Sequence, residues 1–218
     1  MTKRLESRQY VFSVEGETEY WYLKWLQNQI NNCPNRKYNA LIKPWVDKSP
    51  RHFSKRLTAK TTPHIIHLCD IEGNEQENIV NFNNILTEMK NVRVQKGIYY
   101  ILGYSNFTFE LWIILHKIDC SASLDCRRNY LEFIRRAFGE NFENLNHYKQ
   151  EDNFKKCLKQ ITIDDVRSAI CRAERIMTIN NKNGKILNKF EGYVYYLDNP
   201  ALSVHEIVKK ILLECGVM

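Results

Sequence analysis

Apolar positions along the chain recur with two periods, and their order predicts the fold. Tyr10, Val11, Phe12 and Val14 make a short apolar run, the mark of a mostly buried strand. Leu23, Leu26 and Ile30 follow at helical spacing, so a helix begins near Thr18. Between residues 31 and 63, prolines, asparagines and basic residues predict loops around a short strand near Leu41–Val46 and a short helix at His52–Leu57. His64 to Cys69 is a second buried strand. Ile79, Phe82, Ile85 or Leu86, and Met89 mark an amphipathic helix, and "KGIYYILGYS" is a further strand. The order β-α-β-(α)-β-α-β implies an α/β fold with a mostly parallel sheet and helices on its faces.

From "FTFELWIILHK" onward the period becomes helical. Leu111, Ile114 and Leu115 share a face, as do Leu131, Ile134 and Phe138. Thr162 is placed to cap a helix whose buried face carries Val166, Ile170, Ala173 and Ile176. Ser203 and Glu206 have capping-box spacing before a last helix lined by Val204, Ile207, Val208, Ile211 and Leu212. The expected organisation is an α/β core over residues 1–118 and a mostly helical part over 119–218 packed on it. The boundary is soft enough for the two to be one domain. No internal repeat or low-complexity tract interrupts this pattern.

Composition narrows the class. In 218 residues, 44% hydrophobic and 12% aromatic, a full core can form and disorder is excluded. No apolar run approaches the roughly 18 residues of a membrane span. "MTKRLESRQY" lacks the apolar centre of a signal peptide, so a cytoplasmic protein with no membrane partner is expected. Seven scattered cysteines, none in a CxxC pair, argue against zinc and disulfide frameworks. The formal charge is +7, but it is uneven. The first 60 residues hold twelve basic and five acidic side chains, the next 60 hold four and seven, and the remainder sixteen and thirteen. An acidic middle between basic ends suits a metal site facing a polyanion, and equally an ordinary solvated surface.

The candidate chemistry lies at strand ends, where α/β folds bind ligands. Glu15 stands between the first strand and the helix, outside the reach of the helix dipole. Glu17 and Glu19 are read as dipole partners in the first turn. Asp70 and Glu72 directly follow the strand His64–Cys69. Two residues apart on extended chain, they would project to one side, where paired carboxylates need a proton or a cation between them. Mg²⁺ takes such oxygen ligands, and Gly73 lets the chain turn away. Taken alone, D-x-E before a glycine is more often a plain loop; Glu15 at another strand end strengthens it.

A strand ending in Glu-Gly, a helix, and a later strand ending in Asp-x-acid resemble the Toprim fold of topoisomerases, primases and related nucleases. "VEGETEYWYLKWL", "HLCDIEGN", "YSNFTFELWIILHK", "HYKQEDNFKKCL" with "AICRAERIM", and "NPALSVHEIVKKIL" resemble the successive signatures of the RloB-like family. These are small Toprim proteins related to abortive-infection proteins and found beside antiphage-defence genes. The resemblance spans about Gln9 to Leu213. It implies that Glu15 is the Toprim glutamate, that Asp70 and Glu72 are the D-x-D pair, and that Glu110 is the acidic residue of F-E-x-W. The chain departs from the pattern at Glu72, where aspartate is usual, and at Phe107, where proline is common.

The expected function is therefore a metal-dependent nuclease using Mg²⁺ or Mn²⁺, acting on DNA or RNA in antiphage defence beside an ATPase partner. Homo-oligomers are allowed. Asp70 and Glu72 would hold the ion, with Glu15 as a further ligand or general acid/base. Glu110 would hold a second ion or order the site, against the plain reading of a helix-start glutamate. Lys149 would steady a phosphate, or sit at a solvated helix start. Arg51, Lys55 and Arg56, in a basic-aromatic segment from Arg36 to Lys60 that also holds Tyr38, Lys43, Trp45 and Lys48, could track a nucleic-acid backbone while its rings stack on bases; Trp45 itself is expected in the core. Ser105 and Asn106 either contact a phosphate or cap the next helix. His64, His67 and His116 are read as structural. The rival is a catalytically weak Toprim module that binds nucleic acid or the ATPase and passes on a signal. Nucleotidyl transfer of the primase kind is disfavoured by the short chain.

Overall fold

A computed structural model describes residues 5–124 and 126–218. The chain runs β1 (Ser7–Val14), α1 (Glu17–Asn32), β2 (Asn39–Val46), α2 (Pro50–Ser54), β3 (His64–Asp70), α3 (Gln76–Lys96), β4 (Tyr99–Asn106) and α4 (Glu110–Leu115). A 3₁₀ turn at Arg127–Asn129 precedes α5 (Tyr130–Phe138), α6 (Leu145–Tyr148), α7 (Glu151–Lys159) and α8 (Ile163–Lys182). The chain closes with β5 (Leu187–Phe190), β6 (Tyr193–Tyr196), β7 (Ala201–Leu202) and α9 (Val204–Cys215). Among the described residues, no helix is long and apolar enough to cross a membrane.

Five strands form one sheet in the order β2-β1-β3-β4-β7. The β1–β2, β1–β3 and β3–β4 pairs are parallel, as the alternation of strands and helices requires, and β7 runs antiparallel to β4. The pattern gave no sign of β7, because a two-residue strand has no period. It also missed the β5–β6 hairpin, whose turn has positive φ at both Glu191 (51°) and Gly192 (92°). A signal was present: the aromatic and branched run "YVYY" beside a glycine turn. Apolar side chains on the two sheet faces build two cores. One packs β1 and β3 against α1, α4 and the later helices; the other lies under α2, α3 and the hairpin.

β2 is an edge strand, and its free side is closed from within. Ala40 N–H donates to Asn31 Oδ1 (2.8 Å) and Ile42 N–H to Gln27 Oε1 (2.6 Å), while Asn31 Nδ2 reaches Ala40 O (3.0 Å). The next outward position in this alternation is Pro44, which has no N–H to leave open. Side chains of α1 thus occupy the edge that another strand would use.

Capping followed the sequence at one helix and departed from it at another. Thr162 and Asp165 form a reciprocal box at the start of α8. Ser203 does not cap α9. Its hydroxyl accepts from Tyr104 N–H (3.1 Å) and donates to Leu102 O (3.3 Å), because β7 carries Ser203 alongside β4 and the strand backbone competes for it. Trp45 is also corrected: it is 48% exposed. Ala40, Ile42 and Pro44 turn to the α1 side, so the alternate positions Leu41, Lys43 and Trp45 fall on the face that the five-residue α2 barely covers.

Candidate acidic site at the strand ends

The C-terminal ends of β1 and β3 lie side by side, paired as far as Val14 and Leu68. Glu15 is the next residue after Val14, and Asp70 is the last of β3. Their relation is direct: Asp70 N–H donates to Glu15 Oε2 at 3.3 Å. Gly16, with extended backbone, then opens α1. Glu19, one turn in, folds back over this glycine, where an added Cβ would lie 3.1 Å from Glu19 Oε2. Glu19 is 5% exposed and accepts from the Thr18 hydroxyl at 2.9 Å. It therefore belongs to the cluster, a role beyond that of first-turn dipole partner; Glu17, in the same turn, is exposed. The signal was legible. Glu19 continues backward by one turn the buried stripe of Tyr22, Leu23, Leu26 and Ile30.

Glu110 enters from α4, in the helix-start position, and is 1% exposed. Its Oε1 lies 3.0 Å from Lys149 Nζ, at the end of α6, and its Oε2 has no partner among the described residues. Lys149, far from Glu110 in sequence, is thus joined to the carboxylates.

Electrostatics follows from this crowding. Burial, then the charge of Glu19, pushes the Glu15 carboxyl up to about 7, against the Asp70 N–H and Lys48. Burial and the charges of Glu15, Glu19 and Glu110 hold Asp70 well above the usual carboxylate range, and burial raises Glu19. Burial works against the Lys149 charge, but Glu110 and Asp70 outweigh it and its proton is held more tightly than usual. The cluster can relieve this repulsion in two ways: by keeping protons near neutrality or by taking up a cation.

Glu72 stands apart. It adopts φ 60°, and its carboxylate pairs with Arg127 Nη1 at 2.9 Å. The expectation that it projects beside Asp70 assumed extended chain through residue 72, but β3 ends at Asp70. Ile71 N–H and Glu72 N–H are taken by Ser105 O and Phe107 O, both at 3.0 Å, and this bends the chain away. Gly73 completes the turn at φ 112°, where a Cβ would come within 2.7 Å of the Phe107 ring.

A cleft of about 350 Å³ opens beside the cluster, lined by Glu15, Asp70 and Glu72, by Lys48 and Ser49, and by Asn78, Asn81 and Glu88 of α3. Lys48, one of the basic residues of the segment between Arg36 and Lys60, thus lies at the cleft. Arg51, Lys55 and Arg56 are exposed on and just after α2. Ser105 and Asn106 are the last residues of β4 and are buried, and neither caps α4. Asn106 Nδ2 instead donates to Leu197 O at 2.5 Å, so pairing with the β7 region draws both inward, away from any phosphate in solvent.

The histidines are structural neighbours. His67 Nδ1 lies 2.7 Å from Ser13 Oγ. His116 bonds Tyr22 OH (3.2 Å) and Trp112 O (2.9 Å) in the core, while His64 is exposed beside Tyr99.

Whether a divalent cation fits can be judged from the donors. Among the described residues, no group of three His, Cys, Asp or Glu side chains is arranged to hold a metal ion. Mg²⁺ seldom needs such a group, since it usually binds through one or two carboxylates and keeps its waters. Glu15 and Asp70 offer hard oxygens under mutual repulsion, and the unpartnered Oε2 of Glu110 adds another buried acceptor. These donors suit a hydrated hard cation.

The fold and site define an α/β protein with a carboxylate cluster at the ends of its parallel strands, rimmed by basic side chains. The chain belongs to the RloB-like protein family, whose sequence model matches residues 10–211. No curated protein and no solved structure matches it significantly.

Proposed function

We propose that the protein is a Toprim-type, metal-dependent nuclease that cleaves phosphodiester bonds of DNA or RNA. The observation that carries this reading is the convergence of Glu15, Glu19, Asp70 and Glu110 with Lys149 beside a cleft bearing Lys48. Glu15 and Asp70 would hold Mg²⁺ or Mn²⁺. When bound, such an ion supplies charge neutralisation at the scissile phosphate. Glu15 would serve either as a ligand of that ion or, unligated, as the general acid/base; the two roles are alternatives. Lys149 keeps its charge beside Glu110 and would steady a phosphate or leaving oxygen. Lys48, Arg51, Lys55 and Arg56 would guide the polyanion in.

The family resemblance adds a role in prokaryotic antiphage defence, beside an ATPase that restrains or triggers the nuclease, and the sequence pattern adds a cytoplasmic setting. A second reading, a binding and signalling module of weak activity, is favoured by one observation: Glu72 is engaged by Arg127 rather than turned to Asp70. Cleavage of DNA and of RNA with Mg²⁺ or Mn²⁺, with the ATPase present, separates the two. Loss of cutting in Glu15→Gln and Asp70→Asn, with the fold intact, supports the nuclease. A wild type that cuts neither polymer, while both variants still support defence in cells, supports the module.

A further inference from the structure

Trp45 is exposed on the outer strand, level with Ser13 and so two residues short of Glu15 on the neighbouring strand. That offset is roughly 7 Å along the strand direction. Three residues further on, Lys48 lines the Glu15–Asp70 cleft. The ring is held in place: Phe53 of α2 lies 6.3 Å away between centroids, and the Arg56 guanidinium is 5.7 Å from the Trp45 centroid. Its support is fixed as well. Ser49 caps α2 through His52 N–H (3.1 Å), and Glu88 of α3 accepts from Ser49 Oγ (2.7 Å) and Arg51 N–H (3.1 Å).

In the same segment of chain, Lys43, Lys48, Arg51, Lys55 and Arg56 are exposed, and none forms an ion pair among the described residues. Asp47, the acid within this segment, is engaged by His52 at 2.7 Å. Five unmatched cations select a polyanion, and a fixed exposed indole beside a guanidinium selects a flat π surface. A nucleic-acid duplex hides its base faces in the stack; an unpaired strand offers both phosphates and base faces.

We propose that Trp45, with Arg56, is a stacking platform for an unpaired base, on a strand whose backbone passes Lys55 and Lys48 into the Glu15–Asp70 cleft. The substrate class is then single-stranded or looped nucleic acid. This rests on the reading of the cleft as a nucleic-acid site.

The test is fluorescence anisotropy in EDTA with a labelled single-stranded oligonucleotide and the corresponding duplex. Wild type should bind the single strand about tenfold more tightly than the duplex, and Trp45→Ala should remove about tenfold from the single strand alone. Trp45→Phe should keep most of that affinity, and an unchanged melting temperature should exclude misfolding. Lys55→Ala should weaken both ligands and lower the salt slope by about one. Equal single-strand affinity of Trp45→Ala and wild type, no preference over duplex, or no binding at all overturns the platform. The last outcome would mark the surface as one for protein. The nuclease reading fails separately. Cutting that depends on Glu15, with Trp45→Ala binding normally, sinks the platform alone; selective loss in Trp45→Ala, with no cutting by wild type, sinks the nuclease alone.

Discussion

Glu15 and Asp70, 55 residues apart in sequence, are joined by a 3.3 Å bond from the Asp70 backbone N–H to Glu15 Oε2. One residue's backbone therefore fixes the other's carboxylate at the point where β1 and β3 end together. Both carboxyls are held above their ordinary range by burial first and by neighbouring acids second.

This sets the pH dependence of stability in the absence of divalent ions. A carboxyl raised on folding stabilises fully below its unfolded value of 4.5, and that contribution is lost as pH rises through the folded value, about 7 for Glu15. Melting temperature in EDTA should fall between about pH 5 and 8, and Glu15→Gln should flatten the fall. A profile that rises over this range would show that the cluster carries no mutual repulsion.

Mg²⁺ should reverse that loss. At pH 8, saturating Mg²⁺ should raise the melting temperature of wild type, since a ligand bound only by the folded state stabilises by mass action. Asp70→Asn should show a much smaller rise. Calorimetric scans with and without the ion decide it, and equal rises in both proteins would place the ion elsewhere.

The Glu110–Lys149 pair, 3.0 Å apart with Glu110 at 1% and Lys149 at 38% exposure, predicts an asymmetric cost. Lys149→Met leaves a buried carboxylate without its partner and should destabilise by about 1–3 kcal/mol. This is less than the roughly 3–5 kcal/mol of a fully buried pair, because water screens the lysine. Adding Glu110→Gln should recover part of it. Urea titrations of the three variants measure the coupling, and additive effects would show that the two groups do not interact.

The closed edge of β2 gives a prediction about association. Gln27→Ala with Asn31→Ala should leave Ala40 and Ile42 open to pairing, at about 0.5–1.5 kcal/mol per hydrogen bond lost. Sedimentation should then detect self-association that wild type lacks at the same concentration. A double variant with wild-type sedimentation would show the edge to be protected by other means.

Sequence by itself determined the order of the elements, because burial imposes a period of two on strands and 3.6 on helices wherever the run is long enough. It placed Glu15 and Asp70 at strand ends for the same reason, and its signatures pointed to the family that the matched residues 10–211 bear out. Only the tertiary structure decided which acids meet. Glu19 enters the cluster because α1 turns its buried stripe inward, and Glu72 is left at its exposed margin because backbone bonds to Ser105 and Phe107 bend the chain after β3. Lys149, just after α6, reaches Glu110 of α4 across a separation that no local pattern encodes. Strand β7, two residues long, exists only because β4 offers it an edge. Periodicity reports which face of an element is buried; which charged groups then come within a few ångströms of one another depends on how elements distant in sequence pack.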